Sequence, residues 1–105
     1  MAFKALMLAH APDADPAKHR TVIDTGKYVL FTVVVKNQAE ALEVSRSLHQ
    51  KDGIHAVMLC PGFTHADVAE IFKALDGKVS VNVARGDGPS GAIVMPVIQK
   101  EFRCR

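Results

Sequence analysis

At 105 residues the chain is the usual size for one domain and can bury roughly two-thirds of its unfolded surface, enough for one core without disulfide or metal staples and too little for two domains. Hydrophobic residues make up 49% and charged residues 23%, a globular balance, and 13 Lys+Arg against 11 Asp+Glu leave a formal net charge of +2. That excludes the basic field that draws in nucleic acid or an anionic membrane, and one Tyr with no Trp leaves little to stack on bases.

In chain order, Phe3 to Ala9 is a near-continuous apolar run, the pattern of a strand covered on both faces in a parallel sheet. It is too short for a signal peptide and leads directly into His10-Ala11-Pro12-Asp13 without a small-residue cleavage site. Asp15-Pro16 reads as an N-cap and first helical residue, which predicts a short helix from Pro16 to Asp24. Tyr28 to Val35, rich in β-branched and aromatic residues, is the strongest strand signal.

Asn37 with Glu40 three residues on resembles a capping box and opens a helix to about Lys51, apolar at Ala41, Leu42, Ser45 and Leu48. Asp52-Gly53 stops it, and Ile54 to Cys60 is a third strand. Thr64 with Asp67 starts the next helix, whose Val68, Ile71, Phe72 and Leu75 form one buried stripe, and Asp76-Gly77 stops that one too. Lys78 to Ala84 is a fourth strand, polar on one side at Ser80 and Asn82. Arg85 to Gly91 reads as a loop. In Ala92 to Ile98, Pro96 excludes a central strand and leaves an edge strand or a partly helical segment. The tail from Lys100 to Arg105 is expected to be mobile.

The order β-α-β-α-β-α-β with short connections predicts a single small three-layer α/β domain with a mostly parallel sheet, flavodoxin-like or Rossmann-like, and an extra edge strand at the C-terminus as one option. In the strand order 2-1-3-4, the first helix covers one face and the other two the opposite face, with a crevice between the ends of strands one and three. In the order 1-2-3-4, all helices lie on one face and only an oligomer covers the other. Four apolar strands with three helices predict a homodimer, with Ala92 to Ile98 at or near the contact.

Chemistry concentrates in Leu59-Cys60-Pro61-Gly62-Phe63-Thr64-His65, between a strand and a helix. Gly62, Phe63 and Thr64 at a helix start form an anion cradle, where N–H groups and the helix dipole point at the turn, or an ordinary cap. GxGxxG and GxxxxGK[ST] are absent, so no nucleotide or other cofactor is named. Cys60 is a small core residue or a nucleophile helped by His65 and His10. The Cys60-x4-His65 spacing with a distant His10 does not match a structural zinc site. Arg85 has the fork for a carboxylate or phosphate, or pairs locally with Asp87. His19, His49 and His55 read as packing residues. Cys60 and Cys104 are neither a disulfide framework nor a CxxC pair, which points to a reducing cytoplasm.

The segments His-Ala-Pro-Asp-Ala-Asp-Pro, Leu-Cys-Pro-Gly-Phe-Thr-His and Val-Ala-Arg-Gly-Asp-Gly resemble a family of small prokaryotic proteins known only as a domain of unknown function. The resemblance covers most of the chain, weakening after about Gly91. It implies a compact α/β fold in which those three loops matter, and supplies no reaction. The expectation from the residues themselves is a small, anionic ligand held at the strand carboxyl ends by His10, Gly62, Phe63, Thr64, His65, Arg85 and Asp87. Its rivals are an enzyme using Cys60 or a His10/His65 pair, and a structural or regulatory homodimer.

Overall fold

Phe3–His10 forms β1, the middle strand of a five-stranded sheet, in a computed structural model that describes residues 1–102. The other elements are β2 (Arg20–Asp24), β3 (Tyr28–Val35), α1 (Gln38–Asp52), β4 (Ala56–Leu59), α2 (His65–Ala74), β5 (Ser80–Val83) and α3 (Gly88–Phe102). The sheet order is β2-β3-β1-β4-β5. β1 runs parallel to β3 and to β4, β4 runs parallel to β5, and β2 alone is antiparallel. The four parallel strands therefore stand in the order 2-1-3-4.

Strand alternation sends Leu6, Leu8, Val33, Val35, Val57 and Leu59 to one face, all buried, where they meet Ala41, Val44 and Leu48 of α1 and Ile71 of α2. Each fully buried Leu or Val there contributes about 1.5 to 3 kcal/mol relative to exposure. Caps fix the helix ends as the sequence predicts. Asn37 Oδ1 accepts the Glu40 N–H at 2.9 Å, and Gly53 ends α1 at φ 65°, a left-handed position that suits glycine. Asp76 and Gly77 turn the chain after α2 at φ 57° and 63°.

The helix expected from Pro16 to Asp24 is not formed. Asp15 does start a turn: its carboxylate accepts the Ala17 N–H at 3.0 Å and its carbonyl accepts those of Lys18 and His19. One turn is all there is. The β-branched run Thr21-Val22-Ile23 fits a pleated surface better than a helix, and it pairs along the free edge of β3. Asp24 Oδ1 accepts the Gly26 N–H at 2.8 Å and Gly26 takes φ 102°, closing a hairpin into β3.

The extra edge strand therefore lies at β2 and not at the C-terminus. Ala92 to Ile98 is helical, the other of its two expected forms. Pro89 sits in the first turn of α3, where its missing N–H costs no bond, and the Asp87 carbonyl accepts the Gly91 N–H at 2.7 Å. The loop expected from Arg85 to Gly91 shortens accordingly. Of the tail, Lys100 to Phe102 belong to α3; Cys104 lies outside the described residues. Among the described residues, no helix is long and apolar enough to cross a membrane.

With no helix between β1 and β3, α1 and α2 cover one sheet face, and Phe3, Tyr28 and Met58 stand exposed on the other. Beneath α1 lies a different defect. Ser45 is fully buried, and its hydroxyl has no hydrogen-bond partner among the described residues. Such a group costs about 1 to 3 kcal/mol. Ser45→Ala should therefore raise stability by about 1 kcal/mol, measured as a higher urea midpoint with an unchanged slope; a lower midpoint would show that the hydroxyl is satisfied.

Candidate functional site

Three chain segments leave the same edge of the sheet. The ladder continues past the strands, with Cys60 N–H donating to the Leu8 carbonyl at 3.0 Å and Ala84 N–H to the Leu59 carbonyl at 2.7 Å. This holds the ends of β1, β4 and β5 level. From β1 the chain departs toward β2 and β3, and from β4 it departs through α2 toward β5. A crevice opens where neighbouring connections diverge in this way.

His10 ends β1 at this crevice. Its ring stacks on Phe63 with centroids 3.9 Å apart and planes 21° from parallel. Phe63 itself is buried in the core, so it forms the back of the site through His10. A methyl group added at Gly62 would meet Cys60 Sγ and His10 Nδ1, each at 3.6 Å, so the bare glycine sits against thiol and imidazole together. Burial lowers the His10 pKa below its ordinary 6.5, and the Asp67 carboxylate partly opposes that. Near neutral pH the imidazole is uncharged, offering one donor and one acceptor in place of a positive charge.

Thr64 and Asp67 form a complete capping box at the start of α2. Thr64 Oγ1 accepts the Asp67 N–H at 3.1 Å, and Asp67 Oδ2 accepts the Thr64 N–H at 3.0 Å. The Thr64 hydroxyl is thus engaged in the cap. The first carbonyl-directed bond of the helix is Val68 N–H to the Thr64 carbonyl at 3.0 Å, which leaves the N–H groups of His65 and Ala66 ahead of it. His65 is exposed, and no hydrogen bond or ring contact joins it to His10 or Cys60 among the described residues. Cys60 is a free thiol, half-buried and packed against the core.

Arg85 and Asp87 form the local pair, with Arg85 Nε donating to Asp87 Oδ1 at 2.6 Å. Both side chains are open to solvent. Their loop touches the α2 turn: a methyl group on Gly86 would lie 3.4 Å from Pro61 Cβ. Among the described residues, no three His, Cys, Asp or Glu side chains gather as a metal site. His19 and His55 accept backbone N–H groups from Asp15 and Lys4 through Nδ1.

Two contributors were not picked out as site residues. Asp67 reads from sequence only as a capping residue, yet its carboxylate acts on His10; its first-turn position beside the strand ends was the available signal. Gly86 reads as a turn residue or as one that lets its loop move over a ligand, and nothing in the sequence reports its approach to Pro61.

Residues 3–97 match a family of unknown function (DUF6506), and the chain belongs to it. No match was found among curated proteins or among solved structures.

The His10 environment sets a pH dependence. An unfolded chain protonates this histidine near 6.5, whereas the folded one does so only at lower pH, so below about 6.5 unfolding takes up a proton. The stability held by neutral His10 is full above that pH and is lost as pH falls through the folded pKa. An NMR titration should place His10 below 6.5, and Asp67→Asn should move it lower still. His10→Gln should flatten the acid-side loss of stability; an unchanged slope would assign that loss to other groups.

Proposed function

We propose that this member of a family of unknown function binds a small anionic molecule in the crevice at the strand carboxyl ends. The supporting observation is the approach of Gly86 to Pro61, whose Cβ lies 3.4 Å from where a Cβ on Gly86 would stand; this brings the Arg85 loop beside the start of α2. A guanidinium has five donors, and Asp87 engages Arg85 through Nε alone, so its remaining N–H groups are the cationic arm. The N–H groups of His65 and Ala66 at the positive end of α2 are the second arm. Gly62 admits the ligand close to the backbone, and neutral His10, braced by Phe63, is the wall that hydrogen-bonds it.

Asp67 works against a bare anion because its carboxylate already occupies the helix dipole. A ligand that also carries a hydroxyl, donating to His10 or Asp67, meets this mixed environment better than an inorganic ion. We take the ligand class to be a small carboxylate or phosphate bearing a hydroxyl. A second reading, an enzyme using Cys60 or a His10/His65 pair, draws support from the Cys60 thiol and the His10 imidazole each lying 3.6 Å from where a Cβ on Gly62 would stand. Iodoacetamide labelling of native protein at pH 6 to 7 separates it: a reactive nucleophile labels Cys60 fast, and a core thiol only on unfolding.

We also propose that the protein acts as a cytoplasmic homodimer. The dimer is supported by the exposed apolar sheet face, and the compartment by the absence of a disulfide framework in the sequence.

For the anion site, both arms lie on an exposed surface, so each contributes on the order of 1 kcal/mol, and the two together place binding at a dissociation constant of tens of millimolar. Phosphate or a hydroxy acid such as citrate at roughly 100 mM, above that dissociation constant, should raise the melting temperature. Arg85→Ala should remove most of that rise, and Asp87→Ala, which frees the guanidinium, should enlarge it. If all three proteins respond alike, the anion is acting on the whole surface and the site is withdrawn.

A further inference from the structure

Two surfaces of this chain lack the cover that such surfaces have in α/β proteins. One is the sheet face turned away from α1 and α2. There Ala5 and Ala56 floor a concavity of about 470 Å³ between Phe3, Met7, Leu30 and Met58, and Phe3 and Met58 are 50% and 46% exposed. The residues of β1, β3, β4 and β5 that point this way carry no charge. A mostly parallel sheet is ordinarily covered on both faces, and an uncharged apolar face of this extent marks a contact surface.

The other surface is α3. None of its residues is buried, and Ile93 is 76% exposed and Val97 59%. At 3.6 residues per turn its large apolar side chains, Ile93, Val94, Met95, Val97, Ile98 and Phe102, spread over roughly 200° of the helix, about twice the stripe that a helix resting on one layer needs, and Ala92 and Pro96 fall in the remainder. From Gly88 to Gln99 it has no charged residue. It also contains Gly88, Gly91 and an interior Pro96, the poorest helix formers, so its own propensity does not hold it helical. Helices of this kind are held by packing, and among the described residues none of this one is buried.

We propose that α3 of one copy lies on the bare sheet face of a second copy, and reciprocally, each supplying the other's third layer. The inference rests on the homodimer reading and specifies its contact. Dimensions agree. α3, with 15 residues, is about 22 Å long, and a face five strands wide is about 24 Å across at about 4.8 Å per strand. A helix about 10 Å wide, seated twice in a reciprocal pair, removes on the order of 1,000 Å² from water, the scale of a specific interface.

The chain's own α3 does not fill this role, because no α3 residue lines the concavity. The principal extents are 42 × 26 × 24 Å and the radius of gyration is 14.2 Å, above the ~13 Å expected of a compact chain of this length. A membrane is a poorer occupant, since surface-binding helices carry a Lys/Arg-rich polar face and α3 has no basic residue before Lys100.

Sedimentation equilibrium at micromolar concentration tests this on the full chain. Wild type should run at twice 11.4 kDa, and dilution into monomer should lose helical circular dichroism as α3 unpacks. Ile98→Glu on the helix and Asn82→Glu on the already polar margin of the sheet face should each raise the dissociation constant at least a hundredfold. An equimolar mixture of the two variants should recover a 1:1 dimer by native mass spectrometry, because one helix-on-sheet contact remains intact. Should Asn82→Glu fail to fold, Ser80→Lys replaces it. A monomeric wild type overturns the dimer and the exchange together. A dimer that survives Ile98→Glu, or a mixture that stays monomeric, overturns the exchange and leaves the homodimer standing.

Discussion

Parallel pairing on both sides of β1 is the constraint from which the rest follows. β1 is matched residue for residue with β3 from Phe3↔Tyr28 to His10↔Val35, and with β4 from Ala5↔Ala56 to Leu8↔Leu59. β3, β4 and β5 all run the same way and cannot be joined by hairpins, so the chain crosses over the sheet from β3 to β4 through α1 and from β4 to β5 through α2, while β1 reaches its parallel neighbour β3 by way of antiparallel β2. Crossovers of one hand put both helices on the same side, where Leu6, Leu8, Val57 and Leu59 meet them. The same pairing aligns the strand ends, and so His10, Cys60 and Ala84 leave the sheet side by side.

What this arrangement needs locally is written in short patterns, and those were readable. Asn37 to Glu40 and Thr64 to Asp67 are capping signatures because the partners lie three residues apart on one turn. Asp-Gly stops both helices: Gly53 takes the left-handed φ that ends α1, and Asp76 and Gly77 both take it after α2. The four parallel strands showed as apolar runs, and their order was among the alternatives they allowed. The placement of the candidate site followed, because strand carboxyl ends are where such sheets gather their loops.

Less legible was whatever depended on a neighbour far along the chain. Asp15-Pro16 is a genuine helix start in local terms, and it does produce one turn. The open edge of β3 then captures Thr21 to Asp24, a choice decided by a partner that the local pattern does not contain. A local ambiguity hid the start of α3. Asp87-Gly88-Pro89 fits a cap followed by a first-turn proline, but the glycines on either side read as a loop. At the site, spacing told that Arg85 and Asp87 are close enough to pair, and could not tell that Gly86 rests on Pro61.

Asp67 links two parts of the molecule that are usually treated separately. One carboxylate closes the N-terminal turn of α2 and also acts on the protonation of His10. The proton affinity of His10 is thereby tied to where the first turn of α2 holds that carboxylate, and displacing the carboxylate would lower it. The traffic runs both ways, because a charge gained by His10 draws Asp67 by the same electrostatic attraction that raises the histidine pKa. A ligand that reorganises this turn would therefore announce itself in the histidine resonance without touching the ring.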